Sequence, residues 1–288
     1  MITVSSLIYY PIKACRGFEV QSAQVERMGL AHDRRMMVVT LEGNHLTQRE
    51  YPRLAWVTPA LKDDTLTLSA PGFDTLQLMI WSTGITQPVN IWHSKGVSAI
   101  DQGEEAAQWF SDWLGDPVRL VHIADGMQRR VNPEYAVHAD DHTGFSDGYP
   151  ILLISEQSLE NLNARLPEGP VPMNRFRPNL VVSGCEPYAE DSWNKIQIGD
   201  VELAVVKPCP RCVVTTIDKA TLEQSKEPLK TLSKYRRHEL GAIFGQNVIP
   251  INPGSLRVGM TVIPHVREDI GTRSSAPPAT DSANQTNL

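Results

Sequence analysis

No apolar run in this 288-residue chain approaches the ~20 residues that a membrane-spanning helix needs. Cysteine is scarce: four in a chain of this length do not make a disulfide scaffold, so the thiols are expected to be reduced. The start carries no basic segment ahead of an apolar stretch. There, Met1-Ile2-Thr3-Val4-Ser5-Ser6-Leu7-Ile8-Tyr9-Tyr10 reads as a strand and not as a secretory signal. Positive charge is not in surplus. A formal net charge of -6 argues against duplex nucleic acid as the main partner, while leaving room for a local basic pocket. The glycine-rich phosphate loops of dinucleotide and nucleoside-triphosphate sites are missing, and there is no internal repeat. These absences lead to the expectation of a soluble, cytoplasmic protein with an ordinary hydrophobic core.

What is present reads as mainly β with a few helices, an α+β chain. Short apolar or alternating runs lie at 18–26, 36–41, 65–69 and 76–80. Turn signals such as Glu42-Gly43-Asn44, Lys62-Asp63-Asp64 and Ala70-Pro71-Gly72 separate them, which suggests a small barrel or sandwich. Ala107, Phe110, Trp113 and Leu114 have helical spacing and predict a helix over 104–114. A second helix is predicted from 156 to about 166, with Ser155 as N-cap and Leu159, Leu162 and Leu166 on one face. Strands are predicted at 179–183, 195–206, 213–217, 247–251 and 256–263, with a short helix over 229–237. From about 267 onward the chain is rich in Ser, Thr, Ala, Pro and Asn, and is expected to be a disordered tail or linker.

The densest chemistry lies in Lys207-Pro208-Cys209-Pro210-Arg211-Cys212, followed by the strand-like Val213-Val214-Thr215-Thr216-Ile217. A thiol beside a fixed cation has its thiolate stabilised, and the thiolate is the form that attacks, carries sulfur or binds a soft metal. Four readings of the pair stand open. A structural zinc site needs four ligands, and no second close pair is available. A redox dithiol sits at the start of a helix, whereas strand-forming residues follow here. The remaining two are a pair of structural cysteines without chemistry, and a thiolate that serves a metal or carries sulfur. Lys13, Arg34, Arg177 and Asn179 stand in segments that look like loop ends, where guanidinium forks and amides suit a phosphate or a planar heterocycle. Arg177 precedes Pro178, so its backbone is expected to be extended.

Nine segments in order carry a resemblance. They are Pro11-Ile12-Lys13-Ala14-Cys15-Arg16-Gly17, Gly29-Leu30-Ala31-His32-Asp33-Arg34, Thr47-Gln48-Arg49, Phe145-Ser146-Asp147-Gly148-Tyr149-Pro150 and Arg175-Phe176-Arg177-Pro178-Asn179. The others are the Cys209/Cys212 segment, Glu227-Pro228-Leu229-Lys230-Thr231-Leu232, Phe244-Gly245-Gln246-Asn247 and Gly254-Ser255-Leu256-Arg257-Val258-Gly259. Together they resemble the MOSC family, the molybdenum-cofactor sulfurase C-terminal domain preceded by its N-terminal β-barrel domain. The similarity is to YcbX-type reductases of N-hydroxylated compounds and to the mitochondrial amidoxime-reducing component.

The resemblance implies an N-terminal barrel-like domain over 1–95 and a MOSC β-barrel domain over 96–266. It also implies a molybdenum cofactor, with molybdopterin-bound molybdenum held by Cys212, the residue on which reduction of hydroxylamines, amidoximes and N-hydroxylated bases would depend. By the same carry-over, Lys13, Arg34, Arg177 and Asn179 hold the pterin and its phosphate. Asp147, Gly148 and Tyr149 line the pterin, and Asn247 closes the site. Cys209 lies against the cofactor without binding the metal. At family level pyridoxal phosphate binding is a further implication. Two features depart from the pattern. Ala14 stands where relatives commonly have Ser, and no C-x4-C-x2-C run for a plant-type 2Fe-2S cluster is present. Electrons would therefore come in trans, from a ferredoxin-like 2Fe-2S protein or a flavin reductase. The alternatives within the resemblance are a sulfur carrier with a Cys212 persulfide, or a non-catalytic cofactor-binding protein.

Overall fold

The computed structural model describes residues 1–266; the expected tail at 267–288 lies outside them. Alternation of apolar residues sets the sheets. In strand Thr65–Ala70, for example, Leu66 and Leu68 are fully buried while their neighbours are half-exposed. The largest sheet has nine strands. Its path runs Phe18–Val20, Thr3–Tyr9, Leu180–Ser183, Ile151–Ser155, Gly241–Pro250, Val201–Pro210, Trp193–Ile198 and Val262–Val266, with Arg237–His238 paired to Gly241–Pro250. All its pairings are antiparallel except that of Ile151–Ser155 with Leu180–Ser183.

A four-stranded antiparallel sheet joins Met36–Thr40, Val118–Ile123, Ser94–Asp101 and Thr86–Ile91. Strand Ser94–Asp101 runs across residues 95 and 96. There are also two three-stranded sheets, Thr58–Lys62, Thr65–Ala70 and Phe73–Met79, and Gly254–Arg257, Ser22–Glu26 and Gly29–Leu30, and a short pair of Arg129–Arg130 with His142–Thr143. The first strand of the chain thus belongs to the sheet built mostly from its second half. Ser22–Glu26 likewise pairs with Gly254–Arg257 near the end of the described residues. This interleaving draws distant loops to one end of the large sheet.

Helix Glu104–Leu114 forms where the spacing predicts it. It buries Ala106, Ala107, Trp109, Phe110 and Trp113 in a core shared with Leu66, Leu68 and Phe73. Helix Glu156–Asn163 begins at the expected cap, where Ser155 Oγ accepts from the Ser158 amide at 3.1 Å. It stops short of 166 because the Asn163 side chain turns back to pair with Val171, accepting from its N–H at 2.9 Å and donating to its carbonyl at 3.1 Å.

The strand expected at 195–206 is two, Trp193–Ile198 and Val201–Pro210, because the chain reverses at Gly199 (φ +59°), and 256–263 is divided between Gly254–Arg257 and Val262–Val266. The expectation at 213–217 is overturned. Residues 213–217 do not form a strand; Val213–Thr216 is a 3-10 turn. The threonines explain the difference. Thr215 donates from both its amide and its hydroxyl to the Cys212 carbonyl, at 3.1 and 2.9 Å, and Thr216 Oγ1 donates to the Val213 carbonyl at 2.7 Å. Local side-chain bonds of this kind compete with a ladder and win over β propensity.

At the rim of the four-stranded sheet, Arg119 grips Asp101 in a fork, with Nε and Nη2 each 2.6 Å from a carboxylate oxygen. Asp101 Oδ1 also accepts from the Gly103 amide at 2.8 Å, at the start of the helix. Burial pushes the Asp101 carboxyl up, but Arg119 and the Gly103 amide outweigh it and hold it below the ordinary range. A carboxyl so depressed contributes stability above its unfolded pKa of about 4 and loses it as pH falls through the folded value. Asp101→Asn should therefore cost about 1–2 kcal/mol at pH 7 in urea unfolding, with the difference from wild type vanishing on acidification.

Candidate functional site

At the end of the large sheet a cavity of about 300 Å³ opens. Lys13, Arg34, Asp147, Gly148, Tyr149, Arg177, Asn179, Cys209, Cys212 and Asn247 all line it, so the structure brings every candidate residue to one place. Seven Lys or Arg side chains line the wall against a single carboxylate, that of Asp147. A chain of net negative charge thus concentrates positive charge in one concavity, which focuses potential on an anion.

The inner wall is a buried polar knot. Asp33 Oδ1 accepts from the Tyr10 amide at 2.8 Å and from Asn179 Nδ2 at 2.9 Å, while Asp33 Oδ2 takes Arg34 Nη1 at 2.7 Å. Asn179 uses its whole side-chain amide: Nδ2 also donates to the Ile8 carbonyl at 3.1 Å. Its Oδ1 accepts from Arg34 Nη1 at 2.9 Å and from the Leu152 amide at 3.2 Å. Asn179 lines the cavity, yet its amide is fully committed to the protein. Arg34 and Arg177 both stand over the Tyr10 ring, at 4.3 and 4.2 Å from its centroid. Burial pushes the Tyr10 hydroxyl up to about 12 against those two cations, so it remains a neutral donor to the Pro178 carbonyl at 3.0 Å.

Arg177 is the least satisfied member. Nη1 donates to the Cys15 carbonyl at 2.6 Å, but Nη2 is buried without a partner, as is Arg211 Nε nearby. Burial and the neighbouring Arg34 disfavour its charge, although a guanidinium does not give up its proton in a protein. Its backbone is not extended, as the following proline predicts, but left-handed with φ +57°. Ala14 at +67° and Arg34 at +47° share this conformation. Each costs a non-glycine residue of order 1–3 kcal/mol, and such outliers gather at ligand sites. Here the bond to the Cys15 carbonyl, with Arg34 Nη2 donating to the Arg177 carbonyl at 3.3 Å, outweighs the pre-proline preference and turns the guanidinium inward.

The outer wall is the loop bearing Asp147. Arg129, itself buried, holds that loop by donating to the carbonyls of Gly144 at 3.0 Å and Ser146. Asp147 accepts from Lys13 and from Trp92 Nε1, the latter at 3.1 Å. Its side chain is 77% exposed and faces the open cavity. The surrounding cleft walls push its carboxyl up, but Lys13, the Trp92 bond and Arg34 prevail and hold it well below the usual carboxylate range. Burial pushes Lys13 down, and the salt bridge to Asp147 offsets only part of that.

The two cysteines of the C-x-x-C differ. Cys209 lies on strand Val201–Pro210 and takes Arg211 Nη1 at 3.0 Å, while Arg211 Nη2 donates to the Phe176 carbonyl at 2.6 Å. Cys212 heads the 3-10 turn, with the Arg49 guanidinium in hydrogen-bonding reach of its thiol. Cys15 is fully buried, and burial pushes its thiol up to about 12, which removes it from thiolate chemistry. All four cysteines are free.

Several contributors escaped the sequence reading. Tyr10, Asp33, Arg49, Trp92, Arg129 and Gln48 shape the site, and only some lay in the quoted segments. Asp33, Gln48 and Arg49 lay in the quoted segments as polar neighbours of the named residues, and Tyr10 stands directly before the first of them. Trp92 and Arg129 carried no local signal. Glycine fixes two close approaches: a Cβ at Gly29 (φ +102°) would sit 2.7 Å from the Pro150 carbonyl, and one at Gly245 (φ +80°) 2.7 Å from the Leu153 carbonyl.

Comparison with known proteins agrees with this arrangement. Residues 1–117 match the MOSC N-terminal beta barrel domain, and residues 140–263 match the MOSC domain. Mitochondrial amidoxime-reducing component 1 of Mus musculus is 42% identical over 275 residues, 89% of this chain and 80% of that protein. The Homo sapiens protein of the same name is 41% identical over 89% of this chain and 81% of its own length. Mitochondrial amidoxime reducing component 2 of Bos taurus is 37% identical, with the same two coverages of 89% and 81%. Among solved structures, the YUAD protein from Bacillus subtilis covers 93% of this chain and 98% of its own, at a TM-score of 0.41 and 12% identity. These relatives correct the expectation of a cytoplasmic protein, because they are named as mitochondrial. Free thiols and unremarkable composition suit any reducing compartment, so they could not tell the two apart.

The closed hydrogen-bond set of Asn179 makes a clear prediction for stability. Asn179→Leu should cost about 3 kcal/mol or more in urea unfolding without any ligand present, because it strands Asp33, the Arg34 fork and the Leu152 amide. A side chain that served only to contact a ligand would leave stability unchanged.

Proposed function

The chain belongs to the MOSC proteins with an N-terminal MOSC β-barrel domain, and on that premise we propose that it is a molybdenum-cofactor-dependent reductase of N-hydroxylated compounds. The observation that carries the proposal is a cavity joining surplus positive charge, a buried unpartnered guanidinium nitrogen and a thiol at one wall. That donor set fits an anionic, phosphate-bearing group with a soft metal: guanidiniums and an ammonium suit phosphate, and a thiolate suits molybdenum. In this reading Lys13, Arg34 and Arg177 hold the phosphate end, with Arg177 Nη2 as the free donor. Asp147, Gly148, Tyr149, Cys209 and Asn247 bound the cofactor, and Cys212 is the metal ligand. Asn179 acts by locking Arg34 and Asp33 in place.

Bound there, the molybdenum cofactor would supply the two-electron reduction that turns an N-hydroxylated substrate, two protons and two electrons into the amine or amidine and water. The protein's own part is positional and electrostatic. Fixed cations balance the cofactor charge without reorganising, and the inner knot keeps them dry and aligned. Arg49 stands beside the Cys212 thiol, a second cation on that wall of the cavity. Electrons would arrive from a separate protein, a ferredoxin-like 2Fe-2S carrier or a flavin reductase.

The test pairs metal analysis of the purified protein with reduction of a model hydroxylamine or amidoxime by an artificial donor. One molybdenum per chain with turnover supports the reductase; molybdenum without turnover points to a storage protein, and a labile persulfide without molybdenum to a sulfur carrier. Cys212→Ala should lower turnover more than roughly a hundredfold, beyond what loss of an outer contact brings. Cys209→Ala should retain most of it. Full activity in Cys212→Ala would sink the assignment.

A further inference from the structure

Beyond the cavity lining, Lys219 occupies an unusual position. Its ammonium donates to Gln48 Oε1 at 2.5 Å and to the Val214 carbonyl at 3.2 Å. Gln48, 2% exposed, donates in turn to the Ala14 carbonyl, and Trp56 Nε1 donates to the Lys219 carbonyl at 3.0 Å. Val214 is the second residue of the turn headed by Cys212, and Ala14 follows Lys13. One unbroken path of hydrogen bonds therefore links the cysteine turn to the lysine-bearing turn across the pocket floor. The two turns are about two hundred residues apart in sequence.

We propose that Lys219 is a positioning residue for Cys212, clamping the Val213–Thr216 turn to Gln48 so that the thiol and the phosphate-side turn keep one register. The functional consequence rests on the reading of Cys212 as the metal ligand; the clamp itself does not. Two geometric facts support it. The turn is only four residues long, and short 3-10 segments have weak internal bonds, so an outside anchor decides its position. Arg175 braces the far side of the same turn, donating to the Thr215 carbonyl at 3.2 Å and to Asp218 at 2.8 Å, which leaves Val214 to Lys219. Burial, with Arg177 and Arg175 nearby, pushes the Lys219 ammonium down to about 7. Its replacement by methionine removes a disfavoured charge, and the fold should stand without it.

The experiment is amide hydrogen exchange over 212–217 and the rate of Cys212 alkylation by iodoacetamide, each in metal-depleted full-length protein, for Lys219→Met, Gln48→Met and the double variant. Exchange in the turn should rise roughly tenfold in Lys219→Met while the amides of the large sheet keep wild-type protection, since a tenfold change is about what one charged hydrogen bond contributes locally. Alkylation should quicken in parallel, and the double variant should add little to either single one, because both break the same path. Unchanged exchange in Lys219→Met, or fully additive effects in the double variant, would overturn the clamp. Full turnover in Cys212→Ala would instead remove the reductase reading while leaving the exchange result as the measure of the clamp.

Discussion

The arrangement depends on Asp33. One buried carboxylate, 2% exposed, takes the Tyr10 amide and Asn179 on one oxygen and Arg34 on the other. It is a countercharge to two guanidiniums that both pack on a single tyrosine ring. Cations held side by side repel one another, and burial sharpens the repulsion. Without Asp33 the pair would turn toward water and the pocket would lose its inner wall. With it, one guanidinium is neutralised and the other retains an unsatisfied donor. The site thus has a deficit of negative charge, which an anionic ligand would make good.

The same knot explains why strained backbone is tolerated at Ala14, Arg34 and Arg177. All three are left-handed without being glycine. The strain is offset because each lies in a turn anchored from elsewhere in the chain. Gln48 grips the Ala14 carbonyl, the Arg34 amide donates to the Tyr10 carbonyl at 2.6 Å, and Arg34 reaches the Arg177 carbonyl at 3.3 Å. Interleaving of the sheets makes this bracing possible. Strand Thr3–Tyr9 lies against Leu180–Ser183, so Tyr10 and Asn179 meet although 169 positions separate them.

What could be read from the sequence divides along a physical line. Amphipathic periodicity located helix Glu104–Leu114, and the Ser155 cap located the start of Glu156–Asn163, because both signals act within a few residues. Polar content brought out Lys13, Arg34, Arg177, Asn179, Cys209 and Cys212, and the family resemblance added Asp147, Gly148, Tyr149 and Asn247; all ten share one cavity. Conformations that long-range bonds impose were not readable. Pro178 argues for extended backbone at Arg177, yet its bond to the Cys15 carbonyl and the Arg34 bond to its own carbonyl, both from far away in sequence, hold it left-handed. Val213 to Thr216 have strand-forming side chains, yet two threonine hydroxyls close a turn. Trp92 and Arg129 are invisible for a related reason: their role is a contact made through space with one loop, and no local pattern encodes it.

The turn at Val213–Thr216 bears directly on the cysteine pair. Had 213–217 been a strand, Cys209 and Cys212 would continue one extended run with alternating faces. Instead the chain leaves the sheet at Pro210, and Cys212 heads a separate turn. Arg211, between them, is tied to the Cys209 sulfur and the Phe176 carbonyl, so it belongs to the strand side and to the Arg177 turn. Arg49, from another sheet region altogether, serves the Cys212 sulfur. The two thiols are thus provided with different cations by different parts of the fold. An exchange dithiol typically stands at the start of an α-helix, whose dipole activates the attacking thiol, whereas a four-residue 3-10 turn follows Cys212. The division of cations suits one sulfur that binds and one that lines the wall, and the C-x-x-C spacing is then a consequence of how the chain turns at Pro210.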